Sequence, residues 1–266
     1  MTVVAVLSMK GGVGKSTVAL GLASAAWDRD LPTLVIDLDP QANASMALDV
    51  VDAPFTTSDV LADGRPGVAA DAVVESGWGP TVRVIAAERS LEHRNVAQGR
   101  NSALRLRTAL ATLPRQYGLV IIDCPPSLGE LTRNALSAAD RAIIVTEPSH
   151  FALHGAVEAI EAVDVIAAAT NPTLRTAAVV VNRFRPDDRE HRLNLERLAD
   201  AHGPLVYDPP LPDCAGIPQS QRAVSPIHSW NSPGSREVAE IMDDLLDMLV
   251  PPKAPEPRVS IRRFLS

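Results

Sequence analysis

Ser8-Met9-Lys10-Gly11-Gly12-Val13-Gly14-Lys15-Ser16-Thr17 is the stretch from which the rest of this chain is read. Before it stands Val3-Val4-Ala5-Val6-Leu7, an apolar, β-branched run of strand length. After it, Val18-Ala19-Leu20-Gly21-Leu22-Ala23 has the composition of a helix. Three glycines at a strand-to-helix turn let the backbone bend with its N–H groups pointing inward, at a helix N-terminus whose dipole already favours anions. A loop that only reverses the chain needs no Lys-Ser pair at its end, so the stretch reads as a phosphate loop. Gly11, Gly12, Val13 and Gly14 supply the backbone cradle and Thr17 closes the set. Lys15 reaches the β- and γ-phosphates, and the Ser16 hydroxyl ligates the Mg²⁺ of a bound nucleotide.

Length and composition bound the answer. A chain of 266 residues buries a substantial core, and no shift in composition marks a second domain. Against 25 basic residues stand 32 acidic ones, a net charge of −7, which excludes a chain that coats nucleic acid indiscriminately. Any DNA contact has to come from a local patch. Cys124 and Cys214 are too few for a disulfide framework or a four-thiolate zinc site. The first residues lead into the phosphate loop rather than a cleavable signal, and no uncharged apolar run approaches the roughly 18 residues of a spanning helix. A reducing cytoplasm is the expected setting.

Two further strand ends carry carboxylates. Thr33-Leu34-Val35-Ile36 runs into Asp37-Leu38-Asp39-Pro40-Gln41-Ala42-Asn43, and strand, helix and strand within about thirty residues make a parallel βαβ unit. Ligands in such sheets sit at the carboxyl ends of the strands, so Asp37 and Asp39 are expected to face the phosphate-loop crevice. Gly118-Leu119-Val120-Ile121-Ile122 is a second buried-strand pattern and ends in Asp123-Cys124-Pro125-Pro126, a Walker B arrangement. Each proline fixes φ and removes a donor, which stiffens a loop that has to sense one phosphate group. Residues 81–86, 141–146 and 177–181 read as further strands. At least five parallel strands predict a doubly wound α/β fold with helices on both faces. Helices are expected over residues 101–113, 151–168 and 234–249, with a short capped one at Thr57–Leu61.

Lys10-Gly11-Gly12-Val13-Gly14-Lys15-Ser16-Thr17 resembles the deviant Walker A motif of the ParA/MinD ATPases. Asp-Leu-Asp-Pro-Gln-Ala-Asn at 37–43 resembles switch I of the ParA branch, and Asp123-Cys124-Pro125-Pro126 resembles that family's Asp-x-Pro-Pro. The likeness spans roughly residues 1–249, a single ATPase domain. It implies ATP and Mg²⁺ as cofactors and a homodimer that sandwiches two nucleotides, with Lys10 reaching across to the partner's phosphates in the manner of an arginine finger. It further implies that Asp39 positions the attacking water, that Asp37 supports Mg²⁺ and its waters, and that Asp123 reaches Mg²⁺ through water. Asn182, at the end of the last strand, would contact adenine, with Pro212 and Asp213 beside the nucleotide. His154 is read as a surface or packing residue.

The same resemblance implies nonspecific double-stranded DNA of the nucleoid as the surface, and a ParB-like or cargo-adaptor protein that stimulates slow hydrolysis. Arg185, Arg189 and Arg192 are spaced to share one side of a helix starting near Pro186. The later loop, Leu211–Pro218, lacks the family's usual arginine, and Arg222 is the expected substitute, with Arg236 as the alternative. A MinD-like membrane-associated regulator of the division site is the alternative. Residues 250–266 form a Pro-rich spacer and a tail in which Ile261, Phe264 and Leu265 flank two arginines. Three apolar side chains on nine residues give weak membrane affinity, so a membrane contact through 258–266 is not the favoured reading. Deleting residues 251–266 is expected to leave the steady-state rate of ATP hydrolysis unchanged, and a large loss of turnover would refute this.

Overall fold

Strand order fixes where the crevice opens. In chain order the elements are β1 (Thr2–Leu7), α1 (Lys15–Asp28), β2 (Thr33–Asp37), α2 (Asn43–Ala47), α3 (Thr57–Asp63), β3 (Val74–Ser76), β4 (Gly79–Ile85), α4 (Arg105–Leu110), β5 (Leu119–Asp123), α5 (Glu130–Ala138), β6 (Arg141–Thr146), α6 (His150–Ala169), β7 (Arg175–Val181), α7 (Arg189–His202), α8 (Gly216–Arg222) and α9 (Ser235–Leu249). The computed structural model describes residues 1–99, 101–113 and 116–251. The seven strands form one sheet, β3-β4-β2-β5-β1-β6-β7, parallel throughout except for the edge strand β3. From β1 the chain moves to one side to lay down β2 and later crosses to the other to lay down β6. The carboxyl ends around β1 are therefore the switch point at which doubly wound sheets bind ligands.

Apolar runs without a polar face are what a sheet covered on both sides requires. Val3, Ala5 and Leu7 of β1 pack into one core layer while Val4 and Val6 enter the other, and Val120/Ile122 and Leu119/Ile121 of β5 divide the same way. On the first side lie α3 to α7, contributing Leu61, Leu106, Ala135, Ala159 and Leu198. On the second lie α1 and α9, whose Leu22, Ala23, Ile241, Met242 and Leu245 interlock. Register then aligns the functional ends: Val6 pairs with Asp123, and Asp123 with Asp37, in one row across β1, β5 and β2.

Some expected elements differ. The helix expected over 101–113 is a 3-10 turn at Ser102–Leu104 followed by α4, only six residues long. α7 begins at Arg189 rather than near Pro186, because Asp188 caps it by accepting from the N–H groups of Glu190 and His191. β3, three residues long, had no periodicity to reveal it. The spacer and tail lie outside the described residues beyond Pro251. Among the described residues no helix is long and apolar enough to cross a membrane.

Gly21 marks the closest approach of α1 to α9: a Cβ there would stand 2.6 Å from Sδ and 2.9 Å from Cγ of Met242. Gly21→Leu is expected to overpack this contact and lower stability by about 2 kcal/mol, measured by urea denaturation. An unchanged midpoint would mean that the two helices can separate without cost.

Candidate functional site

The loop after β1 is shaped by two left-handed glycines, Gly12 (φ +83°) and Gly14 (φ +97°), the latter the N-cap of α1. Gly14 is required twice over, since a Cβ there would sit 2.1 Å from Nδ2 of Asn182. That amide donates to the Val13 carbonyl at 2.8 Å, so the end of β7 props the loop from below. Above the loop opens a crevice of about 1300 Å³, lined by Gly11, Gly12, Gly14, Lys15, Ser16 and Thr17. The residues after β2, from Asp39 to Asn43, and Pro125 to Ser127 after β5 form its opposite wall. Lys15 is buried, with 6% of its surface exposed, and lines the crevice.

Asp123 is the electrostatic centre. It is wholly buried, and neither carboxylate oxygen has a hydrogen-bond partner among the described residues. Burial pushes its carboxyl up to about 8, and the Asp37 charge adds to the rise; the Ser16 hydroxyl and the Lys15 ammonium oppose it. A buried acceptor pair with no donor, beside a hydroxyl and an ammonium, has the chemistry of a hard-cation site, and Asp123 and Ser16 fit Mg²⁺. Asp37 is arranged differently from the expectation that it serves Mg²⁺. Its Oδ1 accepts from the Asp39 N–H at 3.0 Å, and its Oδ2 from the N–H and hydroxyl of Ser45 at 2.9 and 2.8 Å. Those bonds turn it from the crevice into a brace for the segment after β2, and burial still raises its carboxyl to about 6. Asp39 does line the crevice, its Oδ1 fixed by the Gln41 N–H at 3.0 Å.

Lys10 lies outside the crevice lining. Its ammonium forms an ion pair with Glu147 and reaches the Ser149 hydroxyl at 3.5 Å, both residues in the turn between β6 and α6. Asn182 sits beneath the phosphate loop rather than on the crevice wall, with its Oδ1 buried and without a hydrogen-bond partner among the described residues. Pro212 and Asp213 extend the sheet instead of lining the cavity: Phe184 donates to the Leu211 carbonyl at 2.9 Å and accepts from the Asp213 N–H at 3.1 Å.

Arg185, Arg189 and Arg192 do not form one helical face. Arg185 precedes α7 and pairs with Asp188 at 2.9 Å, Arg192 donates to the Pro186 carbonyl, and Arg189 stands exposed in the first turn. Arg222 ends α8 and lines the crevice. Arg89, Asn95 and Arg183 also line it and had no signal as site residues; each follows a strand end whose loop conformation decides where it points. Asn95 further accepts from the Leu131 N–H at 3.3 Å, capping α5 from a distant part of the chain.

Three comparisons bear on this site. Residues 1–176 match a family model described as AAA domain. The chromosome partitioning protein ParA of Caulobacter vibrioides is 35% identical over 242 residues, 88% of this chain and 86% of that protein. ParA of Myxococcus xanthus is 33% identical over 190 residues, 68% of this chain and 65% of that protein. Among solved structures, a cobyrinic acid a,c-diamide synthase from Mycobacterium smegmatis with bound ADP and magnesium superposes with a TM-score of 0.77 at 28% identity, covering 93% of this chain and 95% of that one. An ATP complex of a Cyanothece McdA variant gives a TM-score of 0.84 at 20% identity, covering 94% and 96%, a likeness of fold.

With the metal chelated, the native state keeps a proton on Asp123 that the unfolded chain gives up in the ordinary carboxylate range. The native state then binds more protons, so stability falls as pH rises from that range towards about 8. Asp37 contributes in the same direction up to about 6, and above that Asp123 carries the slope. Asp123→Asn is expected to flatten the slope between pH 6 and 8 and to stabilise the metal-free protein by about 1–3 kcal/mol at pH 8, measured by urea denaturation in EDTA. An unaltered slope would show that Asp123 ionises normally.

Proposed function

The chain belongs to the ParA family of P-loop ATPases, and from that membership we propose that it binds ATP with Mg²⁺ in this crevice, pairs with a second copy across it, and is released from nonspecific DNA by hydrolysis. The observation that carries the reading is the division of labour between two lysines: Lys15 is buried on the crevice wall, while Lys10 is held outside it.

Backbone N–H groups of the loop and the start of α1 hold the phosphates, and Lys15 offsets their charge. Asp123 and Ser16 would hold Mg²⁺, which supplies neutralisation of charge on the β- and γ-phosphate oxygens. Asp39 is fixed on both its backbone and its carboxylate, so it can orient a water for in-line attack without reorganising. Lys10 has a partner to give up first. An ion pair whose side chains are 43% and 22% exposed is worth about 1 kcal/mol or less, so exchanging Glu147 for a partner's triphosphate is favourable. Assembly and nucleotide state thereby become one switch. DNA contact through Arg189 and its neighbours, stimulation by a ParB-like or cargo-adaptor protein, and a cytoplasmic, nucleoid-associated location complete the reading.

Lys10→Ala is expected to abolish ATP-dependent dimerisation, read by sedimentation velocity, and to cut turnover at least ~10-fold while ATP still binds. Unchanged dimerisation and turnover would remove the lysine exchange. Binding to arbitrary duplex should require ATP and weaken with log salt at a slope of about −0.9 per phosphate contacted, shallower in Arg189→Ala. Binding that is absent or insensitive to salt would point to a membrane or protein surface instead.

A further inference from the structure

Asp39 is held in place through a residue outside the crevice lining. Where β2 ends, the Leu38 N–H still reaches the sheet, donating to the Asp123 carbonyl at 2.9 Å. One residue on, the sheet offers no acceptor, and the Asp39 N–H donates instead to Oδ1 of Asp37 at 3.0 Å. Backbone past a strand end is fixed by whatever side chain takes its N–H. What orients the Asp37 carboxylate therefore orients Asp39.

The other oxygen of Asp37 is held by Ser45. Its Oδ2 accepts from the Ser45 N–H at 2.9 Å and from the Ser45 hydroxyl at 2.8 Å. That hydroxyl in turn accepts from the Ala87 N–H at 2.9 Å, just past the end of β4. A backbone N–H can only donate, so it takes a lone pair of the Ser45 oxygen and leaves the hydroxyl proton for the carboxylate. Thr57 closes the same corner, its hydroxyl donating to the Asp37 carbonyl and its N–H to the Ala86 carbonyl, each at 2.8 Å. One buried hydroxyl thus ties the loop after β2 to the loop after β4, its neighbour in the sheet.

The helix that carries Ser45 has no use for this hydroxyl. Ala42 is the N-cap of α2, and no side chain caps it. Nor does Ser45 face a ligand: Asn43, Met46 and Ala47 on either side line the crevice, whereas Ser45 does not. We infer that Ser45 is a positioning residue for hydrolysis, its hydroxyl acting through Asp37 to fix Asp39 in the orientation that directs the attacking water, with no part in holding the nucleotide. This rests on the reading that the crevice holds ATP and that Asp39 orients the water.

Ser45→Ala deletes the hydroxyl and keeps the Ser45 N–H, and steady-state ATP hydrolysis by the full chain is compared with that of Asp39→Ala and of the double variant. Displacing a positioned group by 1 Å costs up to about 10²-fold, so kcat should fall at least about 10-fold while KM stays within about two-fold. Ser45→Thr, which restores the hydroxyl, should recover most of the loss. Adding Ser45→Ala to Asp39→Ala should change turnover by less than about two-fold, because nothing is left to position. An unchanged kcat in Ser45→Ala would overturn the inference, as would a loss carried by KM or a further loss in the double variant. A threonine variant that melts with the wild type yet recovers nothing would do the same. Equal turnover in the wild type and Asp39→Ala would remove the reading of Asp39 itself, and this inference with it.

Discussion

A buried carboxyl group with no hydrogen-bond partner among the described residues, Asp123, is the constraint on which the rest of this molecule turns. Removing an anion from water costs several kcal/mol unless something compensates it, so with the Ser16 hydroxyl and the Lys15 ammonium as its support among the described residues, Asp123 favours its protonated form until a cation is bound. The deficit is affordable because the sheet around it is apolar and covered on both faces. It also gives the folded state an intrinsic affinity for a hard cation carried in by polyphosphate, and binding that compensates the charge adds directly to folding stability. Parallel register makes this possible: pairing Val6 with Asp123 and Asp123 with Asp37 brings three strand ends level at the switch point.

What the sequence made legible was whatever depends on short-range pattern. A β-branched run, three glycines and a Lys-Ser pair fix strand, loop and helix within about twenty residues, and apolar runs ending in Asp place the carboxylates at the crevice. Contacts closed through tertiary structure were not legible. Nothing in Asp-Leu-Asp shows that Ser45, eight residues on, will turn back and donate to Asp37 Oδ2 through both its N–H and its hydroxyl. Arg185 looked like part of a helical face because spacing alone does not reveal that Asp188 caps α7 and starts it later. At Asn182 the spacing gives no sign that the amide will donate to the Val13 carbonyl and prop the phosphate loop. In each case a polar side chain with several candidate partners took the one that the fold brought nearest.

Strand order also explains why Lys10 is held where it is. β6 neighbours β1, so the turn after β6 lies beside the loop after β1, and Glu147 and Ser149 meet Lys10 across that boundary. The lysine on the inner side of the loop is buried with the crevice; the lysine on the outer side is exposed and paired weakly. A residue meant to act on a second molecule has to be available at low cost, and an exposed ion pair gives that property without leaving a bare charge near Asp123. Loop geometry thus sorts two chemically identical side chains into one buried at the crevice and one exposed beside it in a weak ion pair.

The charge balance limits how a DNA surface can be built on this scaffold. At −7 overall, a single subunit is repelled by a polyanion at long range, and two of the arginines at the start of α7 are engaged with Asp188 and Pro186. One subunit therefore offers few phosphate contacts, and at physiological salt a few contacts give little affinity. Two subunits held rigidly together present twice the number, and the second set binds at the high effective concentration imposed by the first. On this account, dependence of DNA binding on ATP requires no rearrangement of the arginines. Under the proposed reading pairing alone would suffice for a chain that is acidic as a monomer to hold DNA as a dimer.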